Sequence, residues 1–131
     1  MADSWSIRLL RAALKMQDKV DIEVSRTMKQ AGAGRKARIS IDGEDGGEIF
    51  LKWTGDRLLE ETSTDGVRNN FSIHAQTLFD LATGELGARE ALAARLVTVT
   101  GDRSIYDQED IVKLVEKLQQ ILVIHLQQQG V

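Results

Sequence analysis

The sequence predicts an α+β fold in which an antiparallel or mixed sheet of about five strands is covered by helices. Helical periodicity marks the beginning and the end of the chain, period-two alternation marks its middle, and one further short strand precedes the last helix. Helices, then strands, then helices around a final strand are typical of α+β domains. The predicted element order is α-β-β-β-β-α-α-β-α, and a length of 131 residues predicts a single domain over 1–131.

The first block, residues 4 to about 30, is predicted to be helical. Ser4 is a suitable N-cap residue because its hydroxyl can accept a hydrogen bond from a first-turn amide. An apolar stripe starts at Ile7 and repeats every three to four residues until its phase weakens near Asp18. One long helix and two helices broken near Asp18 therefore fit equally well, and the alternation over 20–24 leaves a short strand as a further alternative.

The second block, residues 35–74, is predicted to form strands. Apolar and polar residues alternate in it with the period of two that half-buried strands show. Gly55 and Asp56 separate two such runs, and a two-residue turn containing glycine is a strong signal for an antiparallel hairpin. The strands are expected at 39–41, 49–53, 58–60 and 70–74. They predict a meander of three or four antiparallel strands.

The third block, residues 75–131, is predicted to contain two short helices, a strand and a last helix. The short helices are expected at 77–83 and 88–96, the strand at 97–100 and the last helix from about 107. Glycine at position 84 would end the first of these helices, and acidic residues suit the beginning of the last one. The run from Ile121 to Leu126 is apolar on almost every side, which predicts either burial or pairing with another surface.

Composition and charge exclude several functional classes. A net charge of −3 with scattered basic residues does not provide the basic face that nucleic-acid binding requires. The basic run over 35–38 is expected to be a solvated approach to a strand. Cysteine is absent, so disulfides and thiol chemistry are excluded, and a cytoplasmic location is expected. The sequence shows no secretory signal and no run near the ~18 apolar residues of a membrane span.

No set of residues in the sequence predicts catalysis or metal binding. His74 and His125 are far apart in the sequence and lack the supporting ligands that a metal site needs. Glu60 and Glu61 would point to opposite faces of a strand, so they do not form an acid–base pair. The acidic loop over 42–47 lacks the alternating ligands of a calcium loop. We therefore expect a non-enzymatic protein without a metal or a cofactor.

One pattern in the sequence combines residue spacing with element order. It consists of Leu81-Ala82-Thr83-Gly84, then Ala91 and Leu96, then Val97-x-Val99-x-Gly101-Asp102, and it is accompanied by the glycine-rich loop over 42–47. This pattern resembles the sterol carrier protein 2 family, in which it marks the helices that cover a lipid-binding sheet. The resemblance extends over about 24–122, and the residues over 1–20 form an extra helical segment before it.

The resemblance implies an apolar cavity between the sheet and its helices. The residues expected to line it are the sheet face Ile49, Leu51, Trp53, Phe71 and Ile73 and the covering set Leu78, Leu81, Leu86, Leu92 and Leu96. The same residues would also form an ordinary solid core. The chain departs from the family at Arg95, where members often carry a small residue or glycine, and in a last helix that is longer and more apolar.

The implied function is reversible binding or transfer of a lipid, either fatty acyl or sterol-like, without bond chemistry. Removing about 14 methylenes from water yields about 11 kcal/mol and association costs at least about 4 kcal/mol, which predicts micromolar affinity. The alternative is a protein-interaction or dimerisation module of the same fold, with side chains filling the cavity and a homodimer formed through the C-terminal helix. A third possibility is an accessory subunit that presents lipid-like intermediates to biosynthetic enzymes.

Overall fold

The computed structural model describes residues 4–20, 29, 34–101 and 108–129. Within these ranges the element order follows the predicted series of one helix, four strands, two helices, a strand and a last helix. The elements are α1 (Trp5–Leu14), the 3-10 helix η1 (Gln17–Lys19), β1 (Lys36–Asp42), β2 (Gly47–Trp53), β3 (Leu58–Glu61), β4 (Val67–His74), α2 (Ala75–Thr83), α3 (Ala88–Ala93), β5 (Val97–Gly101) and α4 (Gln108–Gln128).

The strands form one five-stranded mixed sheet in the order β3-β2-β1-β4-β5. β1 pairs antiparallel with β2, and β2 pairs antiparallel with β3, so the predicted meander is confirmed for these strands. β4 instead pairs in parallel with β1, and β5 pairs antiparallel with β4. The four-stranded version of the antiparallel meander is therefore wrong.

Side-chain character explains why β4 pairs with β1 rather than with β3. The central position of β1 sets Ile39 opposite both Ile49 and Phe71, which concentrates apolar side chains in the middle of the sheet. β3 carries Glu60 and Glu61, and charged residues of this kind are typical of an edge strand. The chain accordingly crosses from the β3 edge to the far side of β1 before β4 begins.

One face of the sheet is apolar and the other is polar. Ile49 and Leu51 are buried at every second position of β2, as the period of a strand requires. On the opposite face, the side-chain oxygen of Asn70 accepts hydrogen bonds from Arg38 Nε (2.6 Å) and from Ser40 Oγ (2.8 Å). The core therefore lies on the apolar face of the sheet, beneath the helices.

The N-terminal segment contains the predicted cap and the predicted break. Ser4 Oγ accepts a hydrogen bond from the Ile7 amide (3.3 Å), as expected of an N-cap. α1 ends at Leu14 and is followed by η1, so of the two open alternatives the single long helix is wrong. The second helix expected after Asp18 falls mostly outside the described residues. The strand alternative over 20–24 lies outside the described residues except for its first position.

The second short helix ends earlier than predicted. α3 stops at Ala93 instead of continuing to Leu96. Arg95 then adopts a φ of +58°, in the left-handed region that residues with a Cβ disfavour. This backbone conformation gives a physical reason for the small residue or glycine that the family resemblance associates with the position.

Hydrogen bonds join α4 to the preceding helices and to the segment between them. Gln119 Oε1 accepts a hydrogen bond from the Ala88 amide (3.2 Å), and its Nε2 donates to the Leu86 carbonyl (2.6 Å). Arg89 Nη2 donates to Glu109 Oε1 (2.6 Å), and this hydrogen bond lowers the pKa of the Glu109 carboxyl. These contacts fix the α2–α3 connection against α4, which also packs on α1.

The apolar run near the end of α4 is largely covered by the chain itself. Ile121 and Leu122 are fully buried, and Ile124 and Leu126 are partly buried against the same core. A homodimer through this helix stays a prediction. The predicted helix start at residue 107 lies outside the described residues. No helix in the described ranges combines the length and the apolar character needed to cross a bilayer.

Candidate functional site

An apolar cavity of about 60 Å³ lies between the sheet and α4. Its walls come from the first half of β1, the end of β2, the beginning of β3, the middle of β4 and one stripe of α4. The lining residues are Arg35, Ala37, Ile39, Leu51, Trp53, Leu58, Phe71, Leu114, Val115 and Leu118. Arg35 is the charged residue of this set, and the other side chains present only carbon or the indole ring. Such a surface suits an apolar ligand held by burial rather than by hydrogen bonds.

The cavity lies where two apolar clusters meet. Trp53 forms a small cluster with Leu58 and Leu114, separate from the main core that fills the space under α1 and α2. Leu58 contacts both clusters. Side chains within a closely packed cluster lose many contacts when they are pulled apart. The walls of the cavity can therefore separate with the smallest loss of contacts at the junction between the two clusters.

The structure separates the residues that were predicted to line a cavity into four groups. Leu51, Trp53 and Phe71 line it. The residues Ile49, Ile73, Leu78 and Leu81 lie in the main core, Leu86 and Leu92 are partly buried against that core, and Leu96 is 44% exposed. The cavity thus lies nearer to α4 and to the beginning of β1 than the predicted set does.

Sequence reasoning missed the part of the cavity wall that α4 supplies. Leu114, Val115 and Leu118 form one stripe at helical spacing, and this signal was present in the sequence. The pattern alone does not tell which strand the stripe faces. Ala37 and Ile39 were missed because the parallel pairing of β1 with β4, which brings them beside Phe71, depends on residues far apart in the chain.

A buried glutamine holds one wall of the cavity in place. Gln17 is 4% exposed, and its side-chain amide behaves as a strand partner for the backbone of Leu58. Its Nε2 donates to the Leu58 carbonyl (2.7 Å), and its Oε1 accepts from the Leu58 amide (2.7 Å). Nearby, the guanidinium of Arg11 donates to both carboxylate oxygens of Glu60, with the shortest contact at 2.8 Å. The N-terminal segment is therefore attached along β3, the edge strand that carries Leu58.

Replacing Gln17 with alanine is expected to lower the free energy of unfolding by about 2 kcal/mol, because it leaves the Leu58 amide and carbonyl without their partner in a half-buried site. Urea unfolding followed by circular dichroism measures the change. Gln120→Ala removes an exposed glutamine of α4 and serves as the control. Equal midpoints for the two variants would contradict the role assigned to Gln17.

Neither histidine belongs to a cluster of ligands. His74 Nδ1 accepts a hydrogen bond from the Gln76 amide (3.1 Å), so this side chain caps the beginning of α2. His125 lies on α4. In the part of the chain that the structure describes, no group of three or more histidine or acidic side chains is arranged to hold a metal ion.

The sheet order and the helices on its apolar face define the sterol carrier protein 2 fold, as the sequence resemblance predicted. No family model matches the sequence, and no curated protein matches it either. Solved structures with this fold include palmitated sterol carrier protein 2-like 2 from Aedes aegypti. It covers 86% of this chain and 94% of its own length, with a TM-score of 0.58 and 10% identity.

Two further structures show the same likeness. The complex of Aedes aegypti sterol carrier protein 2 with the C16 fatty acid palmitate covers 88% of this chain and 94% of its own, with a TM-score of 0.52 and 19% identity. The apo form of sterol carrier protein 2 from Yarrowia lipolytica covers 93% of this chain and 95% of its own length, with a TM-score of 0.52 and 11% identity. At these identities the comparison establishes the fold.

Proposed function

We propose that this protein reversibly binds a lipid with a long apolar chain, without bond chemistry, in the cavity between the sheet and α4. The observation that carries the proposal is the cavity at the junction of two apolar clusters, whose lining is apolar apart from Arg35. Two solved proteins of the same fold contain palmitate, which supports an acyl chain as the ligand class. The absence of cysteine suits a reducing compartment, so we place this binding in the cytoplasm.

The volume of the cavity determines how such a ligand would enter. Sites for ligands of drug size measure about 300–1,000 Å³, whereas the cavity measures about 60 Å³. Uptake of a C16 chain therefore requires the volume of the cavity to increase several-fold, so its walls must move apart. Leu58 is the residue that contacts both clusters, and it belongs to a short edge strand that has one strand neighbour.

Opening the cavity lowers the expected affinity. Burial of about 14 methylenes yields about 11 kcal/mol and association costs at least about 4 kcal/mol, which leaves a dissociation constant of about 10 µM. Separating the clusters disrupts existing contacts and weakens binding further. Affinity of this order is suited to a carrier, because the ligand must also be released.

A tryptophan titration tests the proposal. Trp5→Phe leaves Trp53, a wall residue of the cavity, as the single tryptophan of the chain. We expect its emission to change saturably on titration with palmitate or with a sterol, and the two titrations distinguish the ligand classes. A native circular dichroism spectrum combined with no saturable change for either ligand would overturn the proposal.

A second candidate function follows from the small volume of the cavity. A protein-interaction module of the same fold would keep the walls closed and hold no small molecule. The small cavity volume of about 60 Å³ favours this closed state. Val123 and Ile124 on the second half of α4 are partly exposed and could contribute to a homodimer. Sedimentation equilibrium together with the tryptophan titration distinguishes the two functions, because this candidate requires a dimer and no ligand uptake.

A further inference from the structure

A second concave surface lies at the opposite end of the sheet from the lipid cavity. The cavity includes Arg35, immediately before β1, whereas this surface includes the loop that follows β1. We call it the aromatic groove and define it by Trp5, Glu44, Asp45, His74 and Phe79; its volume is about 460 Å³. We propose that the aromatic groove docks a basic segment of a partner protein, with a lysine or arginine side chain stacked on the aromatic pair.

An exposed pair of aromatic rings forms the floor of the groove. Trp5 of α1 is 36% exposed and Phe79 of α2 is 41% exposed. Their ring centroids are 5.8 Å apart, with an angle of 39° between the ring planes. Single exposed apolar side chains are common on protein surfaces, but two large rings brought together from separate elements form a patch of the kind found at interaction sites.

The charge beside the rings favours a cation. Glu44 and Asp45 are exposed, and neither carboxylate makes an ion pair with any residue that the structure describes. His74 also lines the groove, but its Nδ1 already accepts a hydrogen bond from the Gln76 amide and caps α2. Aromatic faces attract lysine and arginine head groups, and nearby carboxylates add charge complementarity.

The open shape favours a protein segment over a small cation. A cation–π contact at an exposed site strengthens binding only about two- to fivefold, so a lone ammonium ion would be held weakly. A peptide adds contacts from its backbone and from neighbouring residues. The two carboxylates also repel the anionic surface of a cytoplasmic membrane leaflet, which disfavours a membrane as the occupant.

The test is a titration followed by NMR of the two tryptophan indole N–H signals, assigned with Trp5→Phe. The probe is a hexapeptide of alternating arginine and alanine, and the matched control peptide carries glutamate in place of arginine. We expect the Trp5 signal to shift with the arginine peptide alone, and to shift less at high salt. The double variant Glu44→Gln/Asp45→Asn is expected to weaken the interaction about fivefold.

A charge-matched double variant keeps the experiment selective. Glu90→Gln/Asp65→Asn makes the same change in net charge at two exposed positions that do not line the groove, so it is expected to leave the affinity unchanged. The proposal is overturned if the arginine peptide does not shift the Trp5 signal, or if both double variants bind it equally. A Trp5 shift produced by phosphatidylcholine or phosphatidylserine vesicles and not by the peptide would assign the groove to membranes instead.

Discussion

Ala37→Ile is expected to weaken the binding of palmitate about 50-fold. Ala37 lies on β1 and lines the cavity. Isoleucine adds three carbons there, in a side chain that strands accommodate well. These carbons occupy space that ligand methylenes would otherwise fill, and each lost methylene removes about 0.8 kcal/mol of burial. Fluorescence titration of Trp53 and a direct assay with radiolabelled palmitate both measure the loss.

The stability of the same variant distinguishes blocked binding from misfolding. Filling a void restores contacts, so the free energy of unfolding should stay equal or rise. Thr98→Ile places the same β-branched side chain on an exposed position of β5 and is the matched control. Palmitate binding by Ala37→Ile at wild-type affinity would show that the lipid binds elsewhere, and the cavity would lose its assigned function.

Gly101→Ala is expected to lower the free energy of unfolding by about 3 kcal/mol, a larger loss than that expected for Gln17→Ala. Gly101 ends β5 with a φ of +101°, opposite Asn69 of β4. A Cβ there would lie 2.2 Å from the carbonyl oxygen of Arg68. That oxygen belongs to the backbone of a strand and cannot move aside. The energetic cost of the steric overlap therefore adds to the cost of placing a residue with a Cβ in the left-handed region.

A second glycine separates the two contributions. Gly66 also has a positive φ, +77°, but a Cβ added there meets nothing within 4 Å. Gly66→Ala should therefore lower the free energy of unfolding by only about 1 kcal/mol, because only the backbone conformation is strained. Thermal unfolding of the two variants measures the difference. Equal losses would mean that β5 moves to accommodate the new methyl group.

Most of the fold could be predicted because its signals are local. The β2–β3 hairpin follows from Gly55 and Asp56 between two alternating runs, and the end of α2 follows from Gly84, whose φ is +81°. The N-cap of α1 at Ser4 likewise depends on neighbouring residues. Each of these features is decided within a few residues, so the sequence could specify it without knowledge of the rest of the chain.

The sites were less predictable, because they join distant parts of the chain. Trp53 was expected beside a ligand from its place on an alternating strand, and it lines the cavity. Leu96 was expected there as well, as part of the covering set that the family resemblance implied, yet it is 44% exposed. The difference arises because a pattern shows that a residue is apolar, whereas the packing of helix on sheet decides which apolar residues meet.

The sequence by itself determined the element order, the α+β class and the sterol carrier protein 2 resemblance, since periodicity and turn residues act over short distances. Only the tertiary structure decided that β4 lies parallel to β1, that α4 supplies one wall of the cavity, and that Trp5 meets Phe79. These arrangements depend on which surfaces exclude water together, and that free energy belongs to contacts between segments far apart in the chain.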